Sequence, residues 1–296
     1  MVYKTRIDPK GPTRHLGRRG ALKQTTFVRL KKAQGLLTVE SALEVMLLSL
    51  LDLSNQVVEI QYQPFTIDVA NNRLFQTHQD LKNHRQALRD AGRTGIFYTP
   101  DIQATLQIAC ERTIEVIEAK DSDWIPSEDD YYGQKLITAK ELLESRGVGF
   151  NLYEASNRGL YQSPLSNNVN KLHCAKMQRE NALGTLSNDY LEYLQNRERM
   201  LDVLSRGPQT ICELAKQCAV QTTTVWHLFI DELVTTDLQA KALGPSTMLQ
   251  LPATNTSSAA SLFYTTLLSL RTSSMSSTVA TQAIPLPLVM QGVVYE

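Results

Sequence analysis

A chain of 296 residues with 42 % hydrophobic content is long enough for two domains and ordinary for a globular protein. Thirty Lys and Arg balance thirty Asp and Glu, and no apolar run approaches the roughly 20 residues of a membrane helix, so a membrane protein is not expected. The N-terminus has no apolar signal region, and the four cysteines (Cys110, Cys174, Cys212, Cys218) and five histidines lack metal-site spacing. Reduced thiols in a cytoplasmic protein are the expectation, and a zinc site is not.

The zero net charge hides an uneven distribution. Residues 1–34 hold ten Lys and Arg against Asp8 alone, a net of +9. The stretch "RIDPKGPTRHLGRRG" carries too little apolar surface to fold alone, so residues 1–26 are predicted to be a basic flexible arm. Lysine and arginine gain affinity for nucleic acid by releasing its counterions. Arg14, Arg18, Arg19, Lys23, Arg29, Lys31 and Lys32 are therefore the candidate nucleic-acid contacts.

Next, "TVESALEVMLLSLLDL" places Leu43, Leu47, Leu50 and Leu51 at helical spacing, with Thr38 as the expected cap. "VVEIQYQPFTI" reads as a strand stopped or bent at Pro64. Residues 71–95 are polar, with His78, Lys82, His84, Arg85, Arg89 and Arg93, and read as a partly helical insertion. "IQATLQIA" and "TIEVIEAK" alternate as two strands of a hairpin, and the acidic loop "DSDWIPSEDDYYG" follows. "QKLITAKELLESRG" is a helix closed near Gly147, and "VGFNLYEA" is a buried strand. This order describes an α/β domain over 27–165.

Residues 166–252 are read as a helical connection and three short helices, the first ending at Arg206-Gly207-Pro208. A strand or wing follows over Leu238–Leu251, the layout of a winged helix-turn-helix. Residues 253–296 are rich in Ser and Thr and are expected to form a largely disordered tail. Its apolar islands, "LFYTTLLSL" and "IPLPLVMQGVV", are candidate partner-docking peptides.

The chemistry rests on the hairpin. Asp101 opens its first strand and Glu118 sits near the end of the second, so antiparallel pairing brings them to one end. Glu118 and Lys120 are two apart and share a sheet face. Two carboxylates beside an amine suit phosphodiester hydrolysis. A magnesium ion takes one or two carboxylates and stabilises charge at both the attacking and leaving oxygens, and the amine serves the phosphate as a point charge. Glu44, on the preceding helix, adds a third acid. Glu111, Glu115, Asp121 and Asp123 are the nearby decoys, with Glu115 on the opposite face of a regular strand.

These residues resemble the restriction-endonuclease-like PD-(D/E)xK nucleases and, more narrowly, the TnsA-like endonuclease subunits of heteromeric bacterial transposases. The similarity is carried by "ESALEVMLLSLLD", "VVEIQYQP", "YTPD", "IEAK" and "LDVLSRGPQTICELA", over roughly residues 27–250. It implies a nuclease core with a C-terminal winged-helix domain and magnesium, or manganese, as cofactor. Glu44, Asp101, Glu118 and Lys120 would be catalytic, the three acids holding the metal, with Gln63 close by. It also implies cutting at the 5′ ends of a mobile element in double-stranded DNA. A TnsB-like DDE transposase would cut the 3′ ends, and a TnsC-like AAA+ ATPase would bind the C-terminal domain. A bacterial cytoplasmic protein, nucleoid-associated when in complex, follows. Two departures stand out: Asp121 where a proline is usual, and a longer insertion at 71–95. The competing readings are a stand-alone restriction or repair nuclease, and a non-catalytic DNA-binding regulator.

Overall fold

The computed structural model describes residues 26–122, 131–179, 184–252 and 261–271. Most of the expected basic arm, including Arg14, Arg18, Arg19 and Lys23, lies outside the described residues, as do 253–260 and 272–296.

A short antiparallel ribbon, β1 (Thr26–Arg29) and β2 (Leu36–Val39), leads into helix α1 (Ala42–Leu53). The helix is capped by Ser41 rather than Thr38, which pairs within the ribbon; the Ser41 side chain accepts from the Glu44 amide. Leu47, Leu48, Leu50 and Leu51 are fully buried, each contributing roughly 1.5–3 kcal/mol relative to exposure.

A four-stranded sheet follows, built from β3 (Val57–Tyr62), β7 (Ile102–Ile108), β8 (Glu111–Asp121) and β9 (Gly149–Ala155) in the order β3-β7-β8-β9. The first two pairings are antiparallel and the last is parallel. As expected from the sequence, β7 and β8 form a hairpin, with Ala109 in the left-handed region at its turn. At Gln63 the backbone is also left-handed (φ 48°), and the chain leaves β3 to enter a second sheet. That sheet comprises β4 (Thr66–Asp68), β5 (Arg73–Phe75) and β6 (Phe97–Tyr98), ordered β5-β4-β6. The polar stretch 71–95 is thus a strand and a three-turn helix, α2 (His78–Asp90), capped by Thr77.

One face of the four-stranded sheet meets α1. The other meets α3 (Tyr132–Glu144) and the second sheet, where Phe65, Ile67, Tyr98, Val116, Leu136 and Phe150 form a smaller core. Glu144 is the last residue of α3, and Gly147 takes the left-handed conformation (φ 75°) two residues past its cap.

Beyond β9 come a single turn, α4 (Asn157–Leu160), and α5 (Pro164–Met177), which packs on α1. Helices α6 (Asn188–Ser205), α7 (Ile211–Gln217) and α8 (Thr222–Ile230) follow the predicted order. A capping box between Thr210 and Glu213 starts α7. The expected strand over 238–251 shrinks to β11 (Met248–Leu249), paired with β10 (Gln209–Thr210), plus a bridge between Thr235 and Gln250. The protein is therefore mixed α/β, with mixed and antiparallel sheets and several helices.

The first apolar island of the tail needs correction. Residues Leu262–Ser269 form α9, which packs on α1 of the same chain with Phe263 and Leu267 buried. Burying that face on its own chain removes it as a free docking peptide. The second island lies outside the described residues.

Candidate active site

The β7–β8 register sets Ile102 opposite Ile117, so the positions just outside that pair, Asp101 and Glu118, lie at the same end of the hairpin. Asp101 is held on both sides. Its Oδ2 accepts from the Ala119 amide at 2.9 Å, and its carbonyl accepts from the Gln63 amide at 2.8 Å. The left-handed turn at Gln63 thus stitches the end of β3 to the start of β7.

Glu118 is 2 % exposed. Its Oε2 accepts from the Tyr98 hydroxyl at 2.9 Å, and its Oε1 accepts from the Tyr132 hydroxyl. Lys120, on the same face, places Nζ 3.6 Å from Glu118 Oε1 and 3.8 Å from the centre of the Tyr132 ring. Lys135 Nζ lies 4.2 Å from the same ring centre, so a second ammonium joins this corner.

Glu44 arrives from the first turn of α1 and is also buried. Ser41 Oγ donates to its Oε1 at 2.7 Å and the Tyr62 hydroxyl to its Oε2 at 2.5 Å. Gln63, buried, lies with Nε2 3.5 Å from that hydroxyl.

The electrostatics show that these acids sense one another. Burial, then the charges of Glu118 and Glu44, push the Asp101 carboxyl well above the usual range, against the opposing pull of the Ala119 amide and Lys120. Burial also raises Glu118, opposed by Tyr132, Lys120 and Tyr98. The phenols of Tyr62 and Tyr98 are raised by burial and by these carboxylates, so they stay protonated and donate. Asp101 and Glu118, both raised and close together, resist ionising as a pair, and a divalent ion beside them would offset that repulsion, which is the chemistry of a hard-cation site.

The expected ligand set is not closed as these side chains stand. Among the described residues, no three Asp, Glu, His or Cys side chains form a group that could hold a metal ion. The reason is local: Glu44 is turned onto Ser41 and Tyr62, and Glu118 onto Tyr98 and Tyr132. The three tyrosines were missed by sequence reasoning. Tyr62 and Tyr98 lie within the "VVEIQYQP" and "YTPD" motifs, but only the tertiary packing shows their hydroxyls aimed at Glu44 on α1 and at Glu118 on β8.

The decoys separate cleanly. Glu115 points to the other face, accepting from Asn151 Nδ2 at 3.0 Å and from the Tyr264 hydroxyl at 2.9 Å. Glu111 is exposed at the far end of the hairpin, and Asp123 is outside the described residues. Asp121 accepts from the Asn157 amide and side chain at 3.3 and 2.9 Å.

Of the candidate nucleic-acid contacts, Arg29 and Lys31 are exposed. Lys32 is not placed to meet a phosphate. Its ammonium donates to the carbonyls of Leu51 and Ser54 at the end of α1, where burial and Lys176 pull its pKa down to about 7. A cleft of about 550 Å³ between β5 and α2 is lined by none of the four expected catalytic residues. A scan against protein-family models and a search of curated proteins return no match to this chain.

Proposed function

We propose that this protein is a magnesium-dependent DNA endonuclease, with manganese able to substitute, that cleaves the 5′ ends of a mobile element within a heteromeric transposase of the TnsA-like kind. The observation that supports it most is the convergence of Asp101, Glu118 and Lys120 at one end of the hairpin, with the charge of Glu44 felt at Asp101.

Asp101 and Glu118 would hold the metal, and Glu44 would complete its surroundings. The ion would supply charge stabilisation at the phosphate and a more acidic bound water. The chain's own residues contribute the rest. Lys120 sets a positive charge beside Glu118, where a scissile phosphate needs one. The Ala119 amide fixes Asp101, and the tyrosine hydroxyls fix Glu118 and Glu44.

We read α6–α8 with β10 and β11 as a winged helix-turn-helix aimed at an ATPase regulator rather than at bases. Helix α8 contains no Lys or Arg, and its single His227 is buried, with Arg179 Nε donating to Nδ1 at 3.2 Å. Base edges are read mainly by cationic or amide side chains, which α8 does not supply.

Strand-specific cleavage of element-end DNA in Mg²⁺, with and without a DDE transposase and an AAA+ regulator, tests the reading. Cutting of the 5′ strand is expected only with both partners. Asp101→Ala and Lys120→Ala should each reduce it by roughly 10²–10³-fold or more while the complex still assembles. An Asp101→Ala protein that cuts normally would reject the assignment. Efficient cutting by the chain alone would point to a stand-alone nuclease.

A further inference from the structure

Helix α2 carries a feature that the carboxylate site does not use. His78, Lys82, Arg85 and Arg89 recur at i, i+4, i+7 and i+11, so at about 100° per residue they fall within an arc of roughly 60°. Lys82, Arg85 and Arg89 are exposed, and exposed Arg93 follows just past the helix end. The two acids of the helix, Asp80 and Asp90, sit roughly 110–170° away from this stripe. Buried Leu81 and Leu88, with His84 bonded to buried Asp68 at 2.8 Å, fix which face turns inward.

The guanidiniums are supported without being neutralised at two positions. Arg89 donates to Gln86 Oε1 at 2.6 Å and Arg93 to Asn71 Oδ1 at 2.9 Å, both uncharged acceptors. Arg85 lies over the Phe97 ring, 4.5 Å from its centre, so its direction is set by packing. From His78 to Arg89 the stripe runs about 16 Å along the helix axis. Phosphate charges on duplex DNA recur along a comparable length, and the arginine fork matches phosphate oxygens. Helix α2 packs on β5, in the same sheet as β6, whose Tyr98 holds Glu118. The sheet under the stripe therefore touches the carboxylate site through Tyr98, while Asp101 and Glu118 themselves belong to the four-stranded sheet.

We infer that the exposed face of α2, through Lys82, Arg85 and Arg89, binds the phosphate backbone of double-stranded DNA outside the cleavage site. The nuclease reading enters only in the identity of the polyanion; the binding measurement does not depend on cleavage. Anisotropy of a labelled duplex of about 40 base pairs, titrated with the full chain in EDTA over about 50–300 mM NaCl, gives the dependence of log K on log[NaCl]. The Lys82→Ala/Arg85→Ala/Arg89→Ala protein should show a slope shallower by about 2.7, since each phosphate contact contributes about 0.9. The Lys82→Ala/Arg89→Ala protein keeps the Arg85–Phe97 stack and guards against a folding defect; its slope should fall by about 1.8. Arg197→Ala/Arg206→Ala, exposed on α6 and at its C-cap, should match the wild type. Equal slopes for the wild type and both α2 variants, or an equal fall in the α6 control, would overturn the inference. Unchanged DNA slopes with lost binding to polyglutamate would overturn it too, by assigning the stripe to an acidic protein. If the chain proves unable to cut DNA, the slope difference still stands.

Discussion

At Asp101, the metal-holding role proposed for it and the stability of the fold pull in opposite directions. A carboxyl whose folded pKa is raised binds a proton in the folded state at pH values where the unfolded chain has lost it. It therefore lowers stability progressively as pH rises through the folded value. Near neutrality the ionised cluster is a cost that a bound cation would relieve. Asn at this position keeps an oxygen to accept from the Ala119 amide but carries no charge. Asp101→Asn should therefore raise the melting temperature at pH 7–8 by roughly 2–4 °C per kcal/mol of repulsion removed, and should flatten the fall in stability above pH 5. Magnesium should raise the melting temperature of the wild type and leave that of Asp101→Asn nearly unchanged. Scanning calorimetry across pH, with and without Mg²⁺, checks both expectations. A variant less stable than the wild type at every pH would show that Asp101 is a structural anchor instead.

Among the elements, the placement of α1 decides whether Glu44 reaches the site. Its first turn is braced from across the fold: Asn157 Oδ1 accepts from the Leu43 amide at 3.0 Å, while Asp121 accepts twice from Asn157. The end of β8, the start of α4 and the start of α1 form one chain of hydrogen bonds, and Glu44 is the next residue along. Asp121, where the resemblance leads one to expect proline, is the acceptor that holds this brace. Asn157→Ala should cost about 1 kcal/mol of stability, a typical capping loss. It should also raise the Mg²⁺ concentration for half-maximal cleavage several-fold, while Asp121→Asn, which keeps one acceptor for Asn157, should fall between. A general loss of activity with unchanged Mg²⁺ dependence would deny the brace any role in placing Glu44. The hairpin and α1 were legible in the sequence because alternation and leucine spacing report the burial of a single element. The brace and the tyrosine donors were not: the brace joins residues 36 and 114 apart, and each tyrosine reaches a carboxylate on a different element, which only tertiary packing decides. The start of α1 was misplaced by one turn because Thr38 and Ser41 are equally good caps locally, and pairing of Thr38 with Phe27 decides between them.

For the whole molecule, one apolar cluster runs from Val28 in the first ribbon through α1, α5 and α8 to Leu267 in α9. The sequence suggested a loose tail because Ser and Thr dominate beyond residue 252, and composition does not report that a short apolar stretch has a waiting partner. Glu232 is the junction. Held in a left-handed conformation (φ 56°), it accepts from the Asn55 amide at 2.9 Å, from the Phe263 amide at 3.3 Å and from the Ser261 hydroxyl. Ser261 also meets Ser54 at 2.7 Å, and Tyr264 reaches Glu115 under the sheet. The end of α1, the segment after α8 and the start of α9 are therefore tied at one point, with Phe263 fully buried beside it. A core shared in this way should melt as a unit rather than domain by domain. Phe263→Ala should remove about 3–4 kcal/mol, shifting a single transition down by roughly 6–16 °C without splitting it. Calorimetry combined with near-UV circular dichroism separates the cases. If two transitions appear and Phe263→Ala moves only one of them, α9 stabilises a part and not the whole, and the shared core does not act as a single cooperative unit.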